Sequence, residues 1–225
     1  MRLCDQFAQV YDFIAGPMMW LAVILFVAGS VYRIGKMFYL INRRERFIYS
    51  YFNFFYSLRS IVRWLLPFGT TSWRMHPVVT VFTFIFHLCL LILPVFLTAH
   101  VVMLDTAWHI GWPTLPESVA DVLTVIVIVC CLFFLIRRLS RPEVRYLTTA
   151  SDYLLLLIAA APFITGFLAY HQAADYRLWV ALHMLSGQIM LIAIPFTRLS
   201  HMLFAVFTRA YTASEFGAVR NARDW

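Results

Sequence analysis

The sequence predicts an all-α membrane protein of five transmembrane helices, and three observations lead there. Of the 225 residues, 62% are hydrophobic and only 13% charged, whereas soluble domains sit near half and a quarter. Five apolar stretches are each long enough to cross about 30 Å of hydrocarbon as a helix. None of them alternates polar and apolar residues as a barrel strand does, and a chain in lipid must satisfy its own backbone groups. The length fits one membrane domain, residues 1–225.

The first span is expected over 16–40. It starts about fifteen residues in, and is too long and lacks the small-residue cleavage site of a removed signal peptide. The stretch 44–67 (RERFIYSYFNFFYSLRSIVRWLLP) mixes arginine with aromatic residues and is too polar to span. It reads as an amphipathic helix in the membrane interface, serving either as an anchor or as a landing platform for a cytoplasmic subunit. The second span, 78–104, contains Pro94, which removes a backbone donor and can kink or re-phase the helix. The third and fourth, 119–136 and 153–170, are joined by the basic turn RRLSRPEVR. The fifth, 178–207, is expected as one continuous helix.

Charge orients these spans. Arg33 and Lys36 lie toward the end of the first span, and Arg43, Arg44, Arg46, Arg59, Arg63 and Arg74 between it and the second. Arg137, Arg138, Arg141 and Arg145 lie between the third and fourth, and Arg198, Arg209, Arg220 and Arg223 at or beyond the end of the fifth. Sixteen of the 18 basic residues thus share one side, leaving Arg2 and Arg177 on the other. The positive-inside bias places the N-terminus outside and the C-terminus in the cytoplasm. The net charge of +7 is therefore topological and gives no nucleic-acid surface. Cys4, Cys89, Cys130 and Cys131 form no CxxC or CxxCH motif. They are read as apolar fillers rather than ligands of an iron–sulfur or zinc site.

Four of the seven histidines fall in spans, and an intramembrane histidine is a functional hypothesis by default. Neutral imidazole is an axial ligand of b-type haem, one from each side of the iron. Two haems then require four histidines at two depths on two facing helices. On one ideal helix, His183 and His201 are eighteen residues apart, five full turns, and share a face about 27 Å long. Gly187 lies one turn from His183, where a missing side chain would admit a flat macrocycle. Helix packing is the other reading of that glycine. His87 and His100, thirteen apart, do not share an ideal helical face, whereas His76 and His87 nearly do. Depth decides for His100, because His76 precedes the span. The expected pairs are His87 with His201 on the inner side and His100 with His183 on the outer. Arg198, three residues from His201, is read either as a partner for a haem propionate or as a snorkelling interfacial arginine. His76, His109 and His171 are placed in loops or interfaces. Beyond His100, the residues Asp105, Trp108, His109 and Trp112 offer an aromatic wall and proton carriers for a quinone, or form an ordinary interfacial belt.

The segment HMLSGQIMLIAIPFTRLSH, residues 183–201, resembles the last transmembrane helix of the respiratory nitrate reductase gamma subunit. YDFIAGPMM near the N-terminus and the turn RRLSRPEVR leading to TTASDYLLL are similar as well. The resemblance covers nearly the whole chain. It implies five helices, two haem b, menaquinone as redox partner and a cytoplasmic iron–sulfur subunit. Two features depart from that subunit: the wider spacing of the second-span histidines and the short loop HQAADYR before the last helix. Both look more like the cytochrome b branch of the Hmc, Tmc and Dsr redox complexes. There the resemblance implies an iron–sulfur partner similar to heterodisulfide reductase, a periplasmic multihaem cytochrome c and further membrane subunits. The expected function is an electron conduit. The alternatives are a quinol-oxidising nitrate reductase gamma subunit, a proton-conducting transporter subunit, and a haem-free membrane anchor.

Overall fold

The computed structural model describes residues 2–224, with side chains from Ala8 onward. The expectations for the side chains of Arg2 and Cys4 lie outside the described residues. The chain is 84% helix and, among the described residues, has no strand. Five helical segments are long and apolar enough to cross a membrane.

Helix α1 (Arg2–Phe13) runs through a π-helical turn, Ile14–Met18, into α2 (Met19–Arg44). Two short helices follow, α3 (Ile48–Tyr51) and α4 (Phe54–Leu65), and then α5 (Thr71–Met75). Next come α6 (Pro77–Phe96), α7 (Thr98–Trp108), α8 (Glu117–Ser140), α9 (Pro142–Leu147) and α10 (Ala150–Tyr170). The last are α11 (Tyr176–Phe196), a 3-10 turn at Arg198–Ser200, and α12 (His201–Ser214), which ends in a π-helical turn, Glu215–Val219.

These boundaries correct several expectations. The first helix begins well before residue 16, because Pro17 is accommodated by the wider π turn instead of starting a helix. The third extends beyond 119–136 at both ends. The fourth begins at Ala150, where Thr149 and Asp152 form a reciprocal capping box. The second is interrupted at Leu97, whose backbone is extended (φ −70°, ψ 129°). The fifth is two helices and not one. Pro195 lacks the amide donor, Thr197 is extended (φ −126°, ψ −170°), and its hydroxyl both bonds the Ala193 carbonyl and receives the Leu199 amide. His183 and His201 therefore stand on different helices, and the turn count that gave them a single face, which needs an unbroken helix, does not apply. The segment 44–67 also holds two helices and not one. Asn53 separates them and caps α4 through the Tyr56 amide.

The chain divides into two compact units, Met1–Ala15 with Val81–Met190, and Gly16–Thr80 with Leu191–Trp225. In the first, α8 packs on α10, and a core forms from Cys89, Leu93, Ala120, Val127, Cys131, Ala160 and Phe163. Small residues at these contacts let backbones approach, as helices in lipid require. Large apolar side chains such as Leu91, Val122 and Leu157 point outward. Cys89, Cys130 and Cys131 are buried free thiols, in keeping with the filler reading. In the second unit, α4 lies on α12 through buried Ser57 and Ser214, whose hydroxyls are 3.0 Å apart. Thus this amphipathic segment packs against protein along one face. Gly29 of α2 faces Pro195 and Phe196 so closely that a Cβ would come within 2.9 Å of the ring.

Candidate functional site: a histidine pair on α7 and α11

The interruption at Leu97 strips helical donors from the carbonyls just before it, and each finds a substitute. The Pro94 carbonyl accepts from His100 Nδ1 at 2.9 Å, Val95 from the Trp112 indole at 2.9 Å, and Phe96 from the Leu115 amide at 2.9 Å. A helix break in an apolar span is tolerable only when such partners exist. The same break thus orients His100 and ties down the loop that follows α7.

His183 on α11 is seated differently. Its Nδ1 lies 2.8 Å from the Pro162 carbonyl of α10, and Gly166 makes room: a Cβ there would sit 3.0 Å from His183 Nδ1 and Cε1. Thr165 and Ser186 hydroxyls, 3.2 Å apart, join the two helices beside it. The resulting pair of imidazoles has ring centres 5.9 Å apart and planes within 17° of parallel.

A carbonyl can only accept, so in the neutral rings Nδ1 carries the proton and Nε2 the lone pair in both histidines. Neither neutral ring can donate to the other. A bond of about 2.0 Å to a metal on each side, plus roughly 1 Å from nitrogen to ring centre, puts two axial imidazoles about 6 Å apart. The observed 5.9 Å between ring centres matches that spacing. A Cβ added at Gly187, one turn along α11, would meet no neighbouring element within 4 Å among the described residues. It is therefore no helix-packing glycine here, and it leaves the helix surface beside His183 open.

The other expected ligands share the Nδ1 arrangement. His87 Nδ1 lies 2.8 Å from the Thr83 carbonyl, and His201 Nδ1 lies 3.0 Å from the Arg198 carbonyl. Both side chains are exposed. His87 belongs to the first unit and His201 to the second. What Arg198 offers His201 is its carbonyl, within the 3-10 turn. His76 caps the end of α5, outside α6, and its carbonyl accepts from the Thr80 hydroxyl.

Asp105, Trp108 and His109 close α7 and are exposed, His109 with left-handed backbone (φ 56°). Trp112 braces Val95 through its indole N–H. His171, expected in a loop, is held by Asp121 at 2.9 Å, beside a Tyr170–Glu117 hydrogen bond of 3.1 Å. Gly166 and the Pro162 carbonyl escape a reading of the sequence alone. Their only signal there is a proline and a glycine four residues apart within an apolar span.

The chain is 36% identical over 217 residues to a protein of Nitratidesulfovibrio vulgaris strain Hildenborough, covering 94% of this chain and 95% of that one. The chain belongs to the same family, and that relative's name, simply "Protein", carries no activity. No family model and no solved structure matches the chain.

Proposed function

We propose that this chain, a member of the family it shares with the Nitratidesulfovibrio protein, is a di-haem b-type cytochrome subunit that carries electrons across the cytoplasmic membrane. The observation that supports it best is the His100–His183 pair: two span imidazoles with Nδ1 committed to carbonyls, 5.9 Å between ring centres. When bound, the haem supplies one-electron redox chemistry at its iron.

The chain's own residues do the rest. His100 and His183 would hold the outer haem through Nε2. The Pro94 and Pro162 carbonyls fix the tautomer that presents Nε2 and raise its basicity, as outer partners of ligating histidines do. Gly187 leaves room for a flat ring system. His87 and His201 are assigned to the inner haem on their depth in the sequence and on the same Nδ1 arrangement. The excess of basic residues on one side, sixteen of 18, supports an N-terminus outside and a C-terminus in the cytoplasm.

In this reading the outer end exchanges electrons with menaquinone or a periplasmic multihaem cytochrome c, and the inner end with a cytoplasmic iron–sulfur subunit. Asp105, Trp108 and His109 are the exposed groups that a quinone would meet, with Trp112 bracing the loop behind them. Visible difference spectra of purified variants test the assignment. His100→Ala and His183→Ala should each remove the same haem signal, about half of the total, and His109→Ala should leave both signals. A full spectrum in either ligand variant would refute the pair.

A further inference from the structure

Within the second unit, the C-terminal half of α2 and helix α12 border an open groove of about 630 Å³. Its α2 wall repeats at helical spacing and joins two chemistries. Arg33, Lys36 and Arg44 supply positive charge, while Met37 and Ile41 supply an apolar floor that Phe204 of α12 completes. Glu45 is the one acid in the lining. Among the described residues, none of the three cations forms an ion pair with a carboxylate. Arg33 instead lies over the Phe204 ring at 5.5 Å, and Lys36 over Tyr32 at 5.9 Å. Charge at the margin of a hydrocarbon layer calls for water or an anion. A small free anion would use the cations and leave the apolar floor bare. A ligand with both a negative headgroup and hydrocarbon uses the whole groove.

We propose that this groove binds an anionic glycerophospholipid, its phosphate held by Lys36 and Arg44 and its glycerol and first acyl carbons lying on Met37, Ile41 and Phe204. Basic pockets on the cytoplasmic side of transmembrane helices recognise headgroups in this way. The site is independent of the haem reading.

Native mass spectrometry of the full-length protein, delipidated in detergent and offered phosphatidylglycerol or phosphatidylcholine with identical chains, tests it. Each cation near an anionic lipid surface strengthens binding about fivefold, so three together give about a hundredfold. Phosphatidylglycerol should be retained at least tenfold more tightly than phosphatidylcholine. The triple variant Arg33→Gln, Lys36→Gln, Arg44→Gln should lose that preference, and Arg145→Gln, outside the groove lining, should keep it. Lys36→Gln alone, at an exposed position, should cost about fivefold and covers the case in which the triple variant misfolds. Excess inorganic phosphate should leave the lipid bound. Equal retention of the two lipids, an unchanged preference in Lys36→Gln, or displacement by inorganic phosphate would overturn the proposal.

Discussion

Four histidines from different helices place Nδ1 against a backbone carbonyl, and they do so by different local means. His87 bonds the carbonyl four residues before it, His201 the carbonyl three before it, His100 a carbonyl released by a helix break, and His183 a carbonyl on another helix. The common outcome is an imidazole whose remaining nitrogen is an acceptor, the state a metal ligand needs. Two glycines test this at the residue scale. In Gly166→Ala the new methyl would lie 3.0 Å from the His183 ring, which must tilt away from Pro162. Haem content should fall and the low-spin absorption should broaden, while circular dichroism shows unchanged helix content. Gly187→Ala meets open space, and alanine favours a helix interior over glycine by about 1 kcal/mol. That variant should melt no lower than the parent and yet bind less haem. Undiminished haem would mean that Gly187 simply faces lipid.

At the scale of elements, proline positions are legible in the sequence but their consequences are not. Pro94 is expected to re-phase the second span, and the break indeed falls three residues later, at Leu97. Nothing in residue order tells that Trp112 and Leu115 return to satisfy the freed carbonyls, because those contacts are tertiary. In the fifth span, period counting assumes a continuous helix across Pro195. Thr197 instead offers its hydroxyl to the backbone, a local competition that ends helices. The amphipathic character of 44–67 is readable from arginine and aromatic placement, whereas its docking on α12 depends on small buried serines that periodicity ignores. The brace at the second-span break can be measured. Trp112→Phe keeps the ring but removes the N–H bonded to Val95, leaving a carbonyl without its donor at a cost of about 1 kcal/mol. Thermal unfolding in detergent should shift down accordingly, with the His100 haem signal weakened. An unchanged melt would show that water replaces the indole.

At the scale of the molecule, composition alone identifies a membrane protein, because 62% hydrophobic residues cannot be hidden in the small buried core of each unit. The proposed topology rests on where the arginines lie and is open to direct labelling. With the native cysteines replaced, a cysteine at Gln172 should react with a membrane-impermeant maleimide in intact cells. One at Ser140 should react only after permeabilisation. The reverse pattern would invert the proposed orientation. Haem content separates a cytochrome from a haem-free anchor, and a pyridine haemochrome assay on the purified, full-length protein measures it most directly. Two histidine pairs predict about two non-covalent haem b per chain, and a value near zero would contradict the cytochrome reading.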